Sequence, residues 1–547
     1  MARLDRLASV RLVAQIGAAI GRQFPYLLLR AVSRLPEDEL QASLARLVAS
    51  ELVFQRGTPP DAVYAFKHAL VQDAAHGSLL RSTRQQLHAQ IAAALEAHSP
   101  ELLDSQPEVF AQHYESAGLD EKAVEYWTRA GKRSAAHFAL AEAANQFEKA
   151  LARLRTLPDG SERQRRELDL QVNLGAIRFA IRGWAAPETG QSYARARELW
   201  ERLGYPSEFL RVPWGQWMYH ANRGDLDLGQ RLAEDLLHRS EQHGQGSGLI
   251  LAHLCLGATL MGRGKFAQSR LNLCEVDRLY VPSTHRALVQ EAGVHPHTMA
   301  LTFLGFIHFC LGYPDQALAH FTSSLAKARN EQHRPSIAQG VSMRAHLLCL
   351  LGDIQSLAED ADQLFAIGVE QGFPYWRAKG LIFRGWANVA AGDSDDGISS
   401  LCAGVTAYLA TGARWWMPQF HALQADAEVI RGRRDVALDI LSEALVRSRE
   451  RGENWFEAEL VRRRGQLLQD RTQAEAETLF EEAIGIAHRQ KAKLWELRSA
   501  MSLARLRRDQ GRRAEGRDLL APVYGWFTEG FDTADLKEAK AVLDELT

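Results

Sequence analysis

Four tryptophans, Trp376, Trp416, Trp455 and Trp495, recur at intervals of 40, 39 and 40 residues. Charged side chains stand beside them: Arg377, Glu457, Glu459, Glu496 and Arg498. Large rings flanked by guanidinium and carboxylate groups can grip an extended peptide or a helix. The candidate partner-binding set is Trp376, Arg377, Trp416, Trp455, Glu459, Trp495 and Arg498. A ring at the same place in every unit of a repeat also suits packing between units. Groove ladder and inter-repeat core both stand at this stage. The run Arg462, Arg463, Arg464 reads as a solvated face.

Other chemistry finds little footing. A phosphate-cradling loop needs G-x-x-x-x-G-K-[ST] after a strand. The Gly-Lys pairs here, Gly131-Lys132 and Gly264-Lys265, are followed by Arg and Phe and fall in helix or hairpin-turn contexts. His295-Pro-His297 is a close histidine pair without a third ligand, and reads as a loop. The cysteines Cys255, Cys274, Cys310, Cys349 and Cys402 are far apart and form no C-x-x-C. Their odd number inside apolar runs suits reduced, buried thiols and a cytoplasmic location. No catalytic residue, cofactor or metal is expected. Lys and Arg number 65 against 67 Asp and Glu, which disfavours a dedicated nucleic-acid surface. No apolar run approaches the length of a membrane span, and Asp5, Arg11 and Gln15 interrupt any signal-peptide core.

The elements that must carry the ladder are written in glycine. Turn-like segments centre on Gly224, Gly264, Gly312, Gly352, Gly392, Gly432 and Gly511, with a further turn near Asp470. A period near 40 marks a solenoid of supersecondary units. Each glycine ends one helix by entering the left-handed region without a Cβ penalty. Five residues later a small-large-small spacing begins: Ala317, Phe321, Ser324; Ala437, Leu441, Ala444; Gly516, Leu520, Val523. Ala476, Phe480 and Ala483 repeat it after the Asp470 turn. Small residues let the paired helix approach, and the large one fills the groove between them. Gly257 and Gly305 lie seven residues before their turn glycines, on the first helix of the pair. This is tetratricopeptide-type arithmetic. Gly183 and Gly118 extend it backwards, the latter followed by Ala123, Trp127 and Ala130. An extra helix covers 141–157, a breaker lies at 158–162, and a capping helix is expected near 533–546.

The first hundred residues follow another pattern. RLVAQIGAAIG, PYLLLRAVSR and EDELQASLARLVAS predict three helices, and ELVFQRG and AVYAFKH two strands joined by TPPD. That composition is a winged-helix segment. Its groove-entering helix would carry Glu37, Asp38 and Glu39 with Arg46 as its one arginine, against DNA binding. FKHALVQDAAHGSLL opens a helix that runs on into LRSTRQQLHAQIAAAL, and His68 reads as a packing residue between wing and helix. The expected fold is all-α: a tetratricopeptide-like α-solenoid, a right-handed superhelix of helical hairpins, over 101–547, preceded by a winged-helix-like segment over 1–100.

Several stretches together resemble one known arrangement: FKHALVQDAAHGSLLRSTRQQLHAQIAAALE, EKAVEYWTRAG, LGYPDQALAH, QGFPYWRAKGLIFRGWA and the last 45 residues. They are similar to the C-terminal half of large bacterial multidomain proteins. In those, a class III adenylate/guanylate cyclase and an AAA-type signalling ATPase precede a winged helix and tetratricopeptide repeats. The resemblance implies a regulatory half that senses a protein or peptide partner. Both catalytic domains are missing from this chain, so no catalytic residue carries over. His68 would be the residue near nucleotide phosphates in such ATPases, and His76 departs from the family's usual aromatic. The expected function is a non-catalytic signalling scaffold binding through a helical-repeat groove. The alternatives are a sensor subunit of a split cyclase or ATPase, or a small-molecule sensor.

Overall fold

The computed structural model describes residues 8–547 apart from 138, 207, 245 and 286. The chain divides into two compact units, 1–177 and 178–547.

The first unit opens with α1 (Ala8–Ile20), β1 (Gln23–Pro25), α2 (Tyr26–Ser33), α3 (Glu37–Ala49), β2 (Val53–Arg56) and β3 (Val63–Phe66). The strands form an antiparallel sheet in the order β1-β3-β2. β1 went unforeseen because three residues with one buried side chain, Phe24, carry no alternation to read. Phe24 stacks on Tyr64 at 5.8 Å, and its ring leaves no room for a side chain at Gly17 of α1. The long helix expected to open in 66–80 and run on to 95 is two: α4 (Ala69–Gly77) and α5 (Arg81–His98). Ser78 interrupts it, donating to the Ala75 carbonyl and accepting from Gln15 of α1. His68 is exposed at the N-cap of α4 and is not a packing residue. The unit continues with α6 (Leu102–Ser105), α7 (Pro107–Ala117), α8 (Asp120–Ala136) and α9 (Leu140–Leu154). α10 (Ser161–Arg182) carries the chain past the division.

The second unit is a succession of antiparallel helix pairs. After Pro187–Arg202 come Arg211–Asn222 with Leu226–His243, Gly246–Gly262 with Phe266–Leu279, and Pro296–Leu311 with Pro314–Asn330. The pairing continues through Arg334–Leu351 with Ile354–Glu370, Pro374–Ala390 with Ser394–Ala410, and Met417–Ile430 with Arg434–Arg451. Glu457–Leu468 with Gln473–Gln490 and Lys493–Asp509 with Arg513–Tyr524 follow, and Ala534–Glu545 caps the array. The turn glycines have positive φ, as the period requires; at Gly312 φ is 96°. The longer step between Gly264 and Gly312 holds two short helices, Pro282–His285 and Ala287–Ala292.

The small-large-small code explains the pairing. Ala317, Phe321 and Ser324 are buried, and a Cβ at Gly305 would come 2.8 Å from the Phe321 ring. Gly257 stands likewise to Leu273, at 2.6 Å, and Gly465 to Phe480, at 2.7 Å. Each glycine admits the large side chain of the partner helix.

Phe321 therefore holds one hairpin shut. Phe321→Ala is expected to cost about 3–5 kcal/mol, read as a lower urea midpoint for the loss of helical signal. An unchanged midpoint would show that the hairpin closes without it.

Candidate functional site

The inner faces of the helix pairs meet one another. The Pro296–Leu311 helix is buried along all 16 residues. It is apolar on every side, as a helix enclosed by others must be. Trp416 and Trp455 both turn their edges on Phe306, at 5.4 and 5.0 Å, and Trp495 meets Phe309 at 6.0 Å. Trp415 stacks on Phe303 at 6.0 Å. The aromatic ladder thus grips a helix, and the helix belongs to the same chain. The groove expected along the first helices is filled.

Successive coils are stitched at the same period. Asn222 O accepts from Arg414 N (2.7 Å) and Trp415 N (3.2 Å), and forty residues on Gly262 O accepts from Trp455 N (3.2 Å). Trp495 Nε1 donates to Trp455 O at 3.2 Å. Trp416 adopts a left-handed backbone, φ 72°, unusual for a bulky residue. The buried Glu453 carboxyl holds it there, accepting from Trp416 N at 2.8 Å and from Trp455 Nε1 at 3.3 Å. Burial pushes Glu453 up to about 8, against the lowering pull of these two donors.

The seven candidate residues do not share one accessible face. Trp376, Trp416, Trp455 and Trp495 are at most 3 % exposed, and Glu459 is fully buried. Arg498 is pinned: Nε donates to Asp535 Oδ1 (2.7 Å), and Nη2 donates to Asp535 Oδ2 (2.8 Å) and to Leu350 O (2.5 Å). Burial would raise Glu459, but Arg462 and Arg498 outweigh it and hold the carboxyl at about 2. Arg377 is the exposed member. The Arg462–Arg464 run is not a solvated face. Arg462 bonds Glu459 at 2.7 Å, Arg463 pairs with Asp426, and both are mostly covered.

Sequence reasoning missed the polar interior behind Trp416. Lys379 is 1 % exposed and donates to Ser342 Oγ at 2.9 Å. The Tyr375, Trp416 and Trp376 rings surround its Nζ at 5.2, 5.6 and 5.9 Å. Burial drives Lys379 well below the usual lysine range. His346 stacks on Trp416 at 4.2 Å and meets Gln419 at 2.7 Å. Lys379 stands three residues after Trp376 in an amphipathic helix, a place where a lysine ordinarily reaches solvent, so its type gave no signal.

Two groups of histidines lie elsewhere in the chain. His295 and His297 do not lie in a loop; they are the buried N-cap and second residue of the central helix. His295 accepts from Thr298 N at 3.3 Å, and His297 meets Asp277 at 2.7 Å. In the first unit His76, His88 and His113 form a chain, Nε2 to Nε2 at 3.3 Å and Nδ1 to Nδ1 at 2.9 Å. Burial pushes His88 and His113 down to about 4, His88 with help from its neighbours' charge. Among the described residues no three His, Cys, Asp or Glu side chains are placed to hold a metal. The five cysteines are free thiols, with Cys274 and Cys402 exposed. No described helix is long and apolar enough to cross a membrane.

No family model matches the chain. It is 23% identical over 466 residues to a protein of Rhizobium meliloti (strain 1021) described as uncharacterized, covering 84% of this chain and 45% of that one. The chain therefore spans less than half of that relative's length. Among solved structures, a Rap protein complexed with competence and sporulation factor aligns over 68% of this chain and 99% of its own. Its identity is 11% and its TM-score 0.48. A signal transduction ATPase with numerous domains and a tetratricopeptide repeat sensor, from Pyrococcus horikoshii, aligns over 99% and 65%. Its identity is 12% and its TM-score 0.30. Yeast Tom70 aligns over 84% and 96%, with 10% identity and a TM-score of 0.31. These scores, all below one half, leave the fold class resting on the helix pairs themselves: an all-α, tetratricopeptide-like solenoid.

Two interior groups give opposite pH signatures. Glu453 binds its proton more tightly folded than unfolded, so its contribution to stability is full below about 4.5 and is lost as pH rises through about 8. Glu453→Gln is expected to gain on the wild type across that window, by up to about 1.4 kcal/mol per pH unit, in urea titrations at several pH values. Equal slopes would place Glu453 in contact with water. Burial holds Lys379 well below the ordinary lysine range, so the fold gives up stability as pH falls below that range. Lys379→Met is expected to be more stable at pH 7 by about 1–3 kcal/mol, with the advantage shrinking towards pH 10. A melting temperature that falls on substitution would show that the amine is needed charged.

Proposed function

We propose that the chain is a non-catalytic docking and sensing module that binds a protein or peptide partner. One observation carries the reading. The titratable groups with shifted affinities beside the ladder, Lys379, Glu453, Glu459 and His346, are sealed beneath the central helix and bonded to protein. They cannot meet a substrate there. Exposed cations such as Lys265 and Lys491 instead lie outside, at helix ends. That division suits recognition, where surface charge selects partners and steers their approach.

In this reading Trp416, Trp455 and Trp495 serve the partner indirectly, as the clamp on the central helix, with Trp376, Glu459 and Arg498 buttressing it. Arg377 would contact the partner directly. Residues 1–100 act as a winged-helix segment and 101–547 as the repeat array. The antiparallel β1-β3-β2 sheet with three helices supports the first assignment. The exposed Glu37, Asp38 and Glu39 of α3 oppose entry into a DNA groove. The resemblance of residues 66–96 and of the last 45 residues supports a regulatory role beside a cyclase or P-loop ATPase. A cytoplasmic location belongs to the same proposal, and the free thiols favour it.

A second reading is a sensor subunit of a split cyclase or ATPase. It is favoured by the relative whose length this chain covers by 45%.

Affinity purification of the tagged chain from its source cell tests both. One partner in stoichiometric amount, with no ATP turnover by the chain alone, is expected. A cyclase or P-loop protein as that partner selects the second reading. A chain that elutes alone, or that turns over ATP unaided, overturns both.

A further inference from the structure

The coils of the second unit meet along a line where hairpin turns of one lie on the loops of another. Gly224 sits 3.4 Å from the Arg414 side chain and 3.7 Å from Arg451, measured from an added Cβ. Gly264 sits against Gln490 and Asn454, and Gly312 against Trp526 and Lys493. At the Gly312 junction the line opens into a cleft of about 420 Å³. Leu311, Ala267, Tyr313 and Trp526 supply its apolar wall, and Arg270, Lys491 and Lys493 its positive charge, with His488 also in the lining. Trp526 is 36% exposed, while the ladder tryptophans are buried. Glu496 is the one carboxylate in the lining. It is already engaged by Lys493 Nζ at 2.7 Å and His488 Nε2 at 2.9 Å. Arg270 and Lys491 have no carboxylate partner among the described residues.

The same sign continues along the line. Lys265 is exposed at the Gly264 turn. At the Gly224 junction Arg414 is held below its ordinary value, first by burial and then by crowding from Arg451, Arg223 and Arg447. Asp225 and Glu443 answer Arg223 and Arg447; among the described residues Arg414 and Arg451 close no ion pair, although Arg451 lies near enough to Asp225 and Glu453 to favour their charged forms. A chain of net charge -2 overall thus gathers unanswered cations along one seam.

We propose that this inter-coil seam binds an acidic peptide segment of the partner, with an apolar side chain seated against the touching Tyr313 and Trp526 rings and carboxylates on Arg270 and Lys491. The inference rests on the docking function proposed above and names its site. Charge complementarity selects an acidic occupant, and the cleft is of the size that takes a small number of side chains. A peptide fits better than a nucleic acid strand. Strand binding relies on a row of exposed rings for stacking, and the other rings along this seam, Trp415, Trp416 and Trp455, are buried.

The test is fluorescence anisotropy on the full chain, with a labelled peptide of alternating glutamate and leucine. A lysine-leucine peptide and oligo-dT serve as comparisons. The glutamate peptide is expected to bind, to weaken with salt, and to bind about tenfold less tightly to the Arg270→Glu, Lys491→Glu double variant. Lys491 is exposed and Arg270 half-buried in the cleft wall, and an unchanged melting temperature confirms the fold of the variant. Trp526→Ala is expected to weaken binding in the same direction. Equal affinity of the double variant, or tighter binding of oligo-dT, overturns the proposal. If the double variant still captures the cellular partner in full, the seam is wrong while the docking function stands.

Discussion

Burial of one apolar helix organises the second unit. Pro296–Leu311 has no polar face to offer water, so it must be enclosed, and the later helix pairs enclose it with Trp416, Trp455 and Trp495. The rings occupy space that a peptide would otherwise take. A repeat array with this content is self-occupied, and its concave side functions as a core. The tight seam between coils follows, because wrapping around a central helix brings turn residues of the early pairs onto the loops of the late ones.

The enclosed polar groups then become a problem that the fold solves locally. Arg498 ties Glu459, Asp535 and the Leu350 carbonyl into one cluster, linking its own helix to the capping helix and to a carbonyl 148 residues before it. Removing one partner from such a cluster would strand a charge in low dielectric, which is costly. Glu453 takes the other route: it is largely protonated at neutral pH and acts by its hydrogen bonds, fixing the strained backbone at Trp416. Surface ion pairs of the array, such as Arg431 with Asp395 and Arg471 with Asp435, span adjacent pairs and add little individually.

The repeat was legible because glycine and small residues report on backbone and close approach, which are local. Gly312 and the Ala317-Phe321-Ser324 triplet spelled out a hairpin before any contact was known. The Trp spacing was equally plain, yet its meaning depended on what lay opposite. That partner, Phe306, is 110 residues before Trp416, and no period links them. The Arg462–Arg464 run misled in part for the same reason: Asp426 reaches Arg463 only in the folded geometry, whereas Glu459 stands one turn before Arg462. His295-Pro-His297 read as a loop because Pro opens turns and helices alike, and the apolar run after it was the better clue. The seam cations escaped notice because Arg270 is more than 200 residues from Lys491 and Lys493 and meets them only in the fold.

The three imidazoles of the first unit have a property of their own. His88 touches its neighbours with both ring nitrogens, and all three rings are neutral near pH 7. If His76 presents a hydrogen at Nε2, His88 must carry its own on Nδ1, and His113 is left with Nε2–H. Reverse the first and every other ring must reverse as well. α4, α5 and α7 thus share one binary choice of tautomer, set jointly by whatever hydrogen-bonds to the two free ends.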